Sequence, residues 1–225
     1  MNQEQQDQRH ENRLRFTFVA MLFALTIGEI AIRLAQLAVD PQVRYYHPAY
    51  AHLILAGFIV VTSWVGWAQS KAPGNVQAIN QVFSWEFVVL LIDVFLVVCY
   101  FIIAKGAEVP VAKSDIKASA DNETFWMMFV FAGYLLWDIW TKAVIKPQSD
   151  SSFISRLRSP YFLKNLLITA GCLLLAVIIW GITRSLGVLS NAGVISIDVA
   201  LIILVGLFRL LKQLLGRKHR APVMS

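Results

Sequence analysis

Six long apolar runs alternate with polar stretches along the chain, at approximately 16–39, 49–68, 83–104, 125–145, 161–182 and 194–214. Each approaches or exceeds the roughly 20 residues that a helix needs to cross about 30 Å of hydrocarbon. Inside a bilayer the backbone must satisfy its own hydrogen bonds, which leaves helices or a closed barrel. A barrel would show segments of about ten residues with alternating polarity. These runs are continuous, so they predict six transmembrane helices. The separators carry breaker chemistry. Asp40-Pro41 ends the first run, and Lys71-Ala72-Pro73-Gly74-Asn75 follows the second. Pro48 and Pro160 stand just before the second and fifth runs, where a missing N–H matters little. The stretch from Gly187 to Gly193 divides the last two.

Composition agrees with the pattern. Apolar residues make up 57% of the chain and charged residues 15%, against about 25% charged in soluble domains. This excludes a disordered chain, a disulfide scaffold and a coiled coil. The expected fold class is all-α: a polytopic membrane bundle of six transmembrane helices with both termini cytoplasmic. A polar N-terminal tail at 1–15 and a basic C-terminal tail at 215–225 flank the transmembrane domain at 16–214. The first tail has no core-forming pattern and is expected to be mobile. The apolar run after Arg15 is too long for a signal peptide, contains Glu29 and Arg33, and lacks a small-residue cleavage site. It reads as a retained first membrane helix. Cys99 and Cys172 lie deep in apolar runs and read as small buried hydrophobes.

The net charge of +6 changes the picture only through its placement. Basic residues flank the apolar runs, so they orient helices and touch lipid headgroups; no nucleic-acid partner is expected. The N-terminal tail, the loops at 69–82 and 143–160 and the C-terminus hold eleven Lys and Arg, and the other side holds five. That asymmetry places both termini in the cytoplasm, as an even number of spans requires. The loop at 105–124 is then extracytoplasmic. Tryptophans 64, 67, 85, 126, 137, 140 and 180 lie near span ends and read as interface anchors. A bacterial inner membrane is the expected location.

An ionisable group near the bilayer centre costs about 2.5–3.5 kcal/mol on insertion scales, so each needs a reason. In the first span Thr26, Glu29, Arg33 and Gln36 share a helical face, and Glu29 stands four residues before Arg33, the favourable order for an ion pair. Asp93 lies at the middle of the third span with no basic residue three or four positions away. Its partner must come from another helix or from water, with Arg33 the nearest candidate by depth, unless burial keeps the carboxyl protonated. Asp138 in the fourth span precedes Lys142 by four. Glu29, Arg33, Asp93 and Asp138 are therefore the candidate transport path or buried polar network. Asn165, Thr169 and Cys172 in the fifth span, and Ala56, Ser63 and Gly66 in the second, read as close-packing faces. His52, Asp198 and Arg209 lie toward span ends and are expected to reach the interfaces.

No catalytic motif, phosphate loop, cofactor-binding pattern or metal-ligand spacing appears in the sequence. The spacing Phe18-x4-Phe23-Ala24 and the Trp64-bearing second span resemble prokaryotic relatives of the endolysosomal potassium channel. The Phe-Ser-Asp of that family's first helix is missing, with Val19 and Ala20 in its place, so membership is not assigned. The excess of deep acids suits a small cation- or proton-conducting channel or transporter. The alternative is a structural or regulatory membrane subunit. The expected partners are the bilayer and either further copies of the chain or another membrane protein.

Overall fold

The computed structural model describes residues 3–41, 43–70, 85–106, 120–141, 159–187 and 189–220, and the side chains among these from 17 to 216 apart from 70, 85 and 86. The described residues form six helices: α1 (Gln3–Val39), α2 (His47–Ser70), α3 (Trp85–Lys105), α4 (Asp121–Ile139), α5 (Pro160–Leu186) and α6 (Asn191–Arg220). They contain no strand. The protein is an all-α, multi-pass integral membrane protein. Most of the three longer interhelical loops, and Lys142 with them, lie outside the described residues. α1 begins at Gln3, inside the stretch read as a polar tail, where Gln, Glu and Arg are all good helix formers. α6 likewise runs on to Arg220.

Local chemistry sets the ends of α5 and α6. Ser159 caps α5, its hydroxyl accepting from the Phe162 N–H at 3.1 Å, with Pro160 at the first helical position. Gly187 ends α5 at φ 65°, a left-handed conformation that favours glycine. The Ser190 hydroxyl then accepts from the Gly193 N–H at 3.2 Å to start α6.

Five of the helices are long and apolar enough to span a membrane on their own terms. α4 is the other, with 19 residues that include Asp121, Glu123 and Asp138. It nevertheless lies along the length of α3 in the opposite direction. A Cβ on Gly106 would meet Asn122, Gly133 lies against Leu96, and Trp137 reaches Asp93. Its acids sit in its first and last turns, and Thr124 to Trp137 between them is free of charge. α4 thus packs as a sixth helix of the bundle beside the five candidate spans.

Helix neighbours close a ring in the order α1, α2, α6, α5, α4, α3, with α2 and α3 also touching across it. α2, α4 and α6 run parallel: His52 lies near Glu123 and Asp198, while Ser63 meets Tyr134 and Arg209. We call the end where these helices finish proximal, because α6 ends the chain there, and the other end distal. Buried positions on α3 (Val89, Asp93, Leu96, Tyr100, Ile103) recur at helical period and face the ring interior. The opposite kind of face is clearest on α5, where Leu163, Leu167, Leu174, Ile178 and Ile182 form an exposed apolar stripe. In a bilayer that stripe faces lipid.

Candidate functional site

The proximal half of the ring interior is polar, and Asp93 is its deepest acid. It is 4% exposed, so its charge has to be met inside the protein. Trp67 of α2 donates its indole N–H to Oδ2 at 3.2 Å, and Trp137 of α4 donates to Oδ1 at 3.1 Å. Both donors are neutral. They hold the carboxyl group in place from two neighbouring helices.

Across the same space stands Arg209 of α6. Its Nη2 donates to Ser63 Oγ at 2.8 Å and to Tyr134 Oη at 2.7 Å. Tyr100 also donates to Tyr134 Oη, at 2.8 Å. A phenol oxygen has two lone pairs, and both are now used. The Tyr134 hydrogen therefore goes to Ser63 Oγ, 2.6 Å away. The direction of this network follows from Arg209, which can only donate. The guanidinium also lies 4.9 Å from the Tyr134 ring centre and 5.5 Å from that of Phe208, within cation–π range. Its Nε is buried without a hydrogen bond. Gly66 makes room for it: a Cβ there would stand 2.9 Å from Arg209 Nη1.

Asp93, Trp67, Tyr100, Tyr134 and Arg209 line a cavity of about 100 Å³ together with Phe23 of α1. A second cavity of about 690 Å³ shares Gly66, Tyr134, Trp137 and Arg209 with the first and extends toward the proximal end past Asp138, Lys212 and Gly216. There Thr169 donates to Asp138 Oδ2 at 2.6 Å, and Lys212 donates to the same oxygen. The two cavities adjoin, so the ring holds a chain of ionisable groups from Lys212 and Asp138 inward to Arg209 and Asp93.

Of the residues singled out from sequence, Asp93 and Asp138 line these adjoining cavities. Glu29 and Arg33 do not. They pair with each other at 2.7 Å on a half-buried flank of α1, with side chains 21% and 17% exposed. The Thr26 hydroxyl bonds to the Leu22 carbonyl of its own helix, and Gln36 is exposed. Asp93 accepts from Trp67 and Trp137, and Asp138 accepts from Lys212 and Thr169. The fifth-span face of Asn165, Thr169 and Cys172 is buried as its spacing implies.

Three groups of residues differ from their sequence reading. Trp67 and Trp137 face inward and hydrogen-bond, whereas Trp64 is 42% exposed, as an interface anchor would be. Arg209 turns into the ring and lines both cavities. His52 and Asp198 are buried at the distal end. One signal for Asp198 was present in the sequence. It falls in the series Val194, Asp198, Leu201, Val205, Phe208, whose three- and four-residue steps mark the buried face of α6. No family model, curated protein or solved structure matches the chain.

Proposed function

We propose that the protein moves protons across the membrane through the ring interior, as a proton channel or a proton-coupled transporter. The observation that carries this reading is the small cavity that holds Asp93 and Arg209 together within one chain. Ionisable groups deep in a membrane protein mark ion and proton paths. A proton needs only a chain of groups that can give and accept hydrogen. Asp93 can do both, and the hydroxyls of Tyr100, Tyr134 and Ser63 extend the chain. A hydrated metal cation needs more room, and the fixed charge of Arg209 repels it. Arg209 and Asp93 are thus matched as an electrostatic gate and a proton carrier.

The experiment is proton flux into proteoliposomes containing the purified protein, driven by a potassium diffusion potential and read with an internal pH dye. Flux is expected from the parent and is expected to fall to the level of empty liposomes in Asp93→Asn. The variant should keep the parent's elution volume on size exclusion. Equal flux in parent and variant would remove Asp93 from the path. A folded parent without proton flux would overturn the transport reading and favour a membrane subunit.

A further inference from the structure

The distal end of the ring holds a second polar cluster. His52 lies in the second turn of α2, Glu123 in the first turn of α4 and Asp198 in the second turn of α6. All are enclosed, at 5%, 3% and 0% exposure, so water cannot solvate their charges. His52 Nδ1 is 3.7 Å from Glu123 Oε1 and 3.9 Å from Asp198 Oδ1. One ligating atom from each residue lies within 4.8 Å of the others.

The tautomer of His52 follows from its other nitrogen. Nε2 stands 2.7 Å from the Ile103 carbonyl. A carbonyl can only accept, so Nε2 carries a hydrogen. In the neutral ring Nδ1 is then a bare lone pair facing two carboxylates. Metal-bound histidines are typically fixed this way, with the second N–H given to a backbone carbonyl. The carboxylates supply the independent sign. Glu123 Oε1 and both oxygens of Asp198 are buried without a hydrogen bond. Buried acceptors are normally paired, so three in one place call for a shared positive partner. Spacings of 3.7 and 3.9 Å are too long for hydrogen bonds. They are slightly wider than the roughly 3.4 Å between neighbouring ligands in a tetrahedral site with bonds near 2.1 Å.

We infer that His52 Nδ1, Glu123 and Asp198 bind one divalent transition-metal ion of the zinc class, joining α2, α4 and α6 at the distal end. The charges of two carboxylates and one dication cancel around a neutral imidazole. One nitrogen and a few oxygens suit zinc and its neighbours better than calcium, which takes six to eight oxygens, or magnesium, which keeps its waters. The site does not depend on the proton path proposed above. It lies at the other end of the ring and shares no residue with it.

The test uses the full chain in detergent, stripped with a chelator and titrated with zinc chloride. About one zinc per chain is expected to survive desalting. It should raise the melting temperature, and magnesium or calcium at equal concentration should not. Asp198→Asn and His52→Ala should each lose the retained zinc and the thermal shift. X-ray absorption of the zinc-loaded parent should give a shell of one imidazole with oxygen donors, a readout that holds even if a variant fails to fold. A parent that retains no zinc overturns the site and leaves a proton shared by the triad in its place. Undiminished zinc in folded variants, or a shell with sulfur or several imidazoles, also overturns it.

Discussion

A single glycine hydrogen atom decides where the Arg209 charge lies. Gly66 leaves a gap that Nη1 fills, and a methyl group there would stand 2.9 Å from that nitrogen. The obstructing atom is the far end of a flexible side chain, so it can move. Gly66→Ala is therefore expected to destabilise the protein by no more than about 1 kcal/mol. It should nevertheless displace the guanidinium from Ser63 and Tyr134 and lower proton flux several-fold. Melting curves and flux on the same preparation check both halves, and a loss of stability with unchanged flux would contradict the assigned role. Residue chemistry was partly legible from sequence. Asp93 stood out because a lone acid in an apolar run needs a reason. Trp67 and Trp137 did not, because an indole at a span end serves equally as anchor or as donor. Only the neighbouring helix decides which.

Between helices, close approach does what charge does within them. α3 and α4 touch where Gly133 lies against Leu96. A Cβ on Gly133 would come 2.6 Å from Leu96 Cδ2, and Leu96 is only 6% exposed. That leucine also lines the small cavity, so it withdraws only by filling that space. Overpacking of this kind typically costs about 1–3 kcal/mol, so Gly133→Ala should lower stability within that range. Adding Leu96→Val should restore part of the loss. A double-mutant cycle on melting in detergent measures the coupling, and strictly additive effects would refute the contact. The helices themselves were readable from their apolar runs, with most ends displaced by a few residues and the start of α1 by thirteen. α4 is the instructive case. Its apolar run was visible, but Asp121 and Glu123 precede that run, and they define the start of the helix. The neighbours were not readable. Periodicity gives the buried face of each helix but not the face it meets. His52, Glu123 and Asp198 come from three helices far apart in the chain, so no spacing rule could join them.

Taken whole, the ring fixes which ends of the helices share a side. α2, α4 and α6 run one way and α3 and α5 the other, as their paired residues require. With α1 leading into α2 through a short connection, the start of α1 and the end of α6 both lie proximally. The apolar middle of α4 is shorter than that of its neighbours, and its charged ends are absorbed by the bundle: Asp121 pairs with Arg184 at 3.0 Å, and Asp138 with Thr169 and Lys212. A helix supported on these sides does not need the hydropathy of an isolated span in order to cross. From the excess of basic residues, eleven to five, we propose that the proximal side is cytoplasmic. Labelling tests the arrangement directly. Arg184 is a distal position with its side chain 69% exposed, and the native cysteines are buried. Arg184→Cys should react with an impermeant maleimide in intact cells, whereas Ser225→Cys and Gln3→Cys should react only after the membrane is opened. Labelling of one terminus without the other in intact cells would mean an odd number of crossings and remove α4 from the membrane. Labelling of both termini but not position 184 would keep the ring and invert it, which would turn the Asp138 and Lys212 cavity to the outside and the His52 cluster to the cytoplasm.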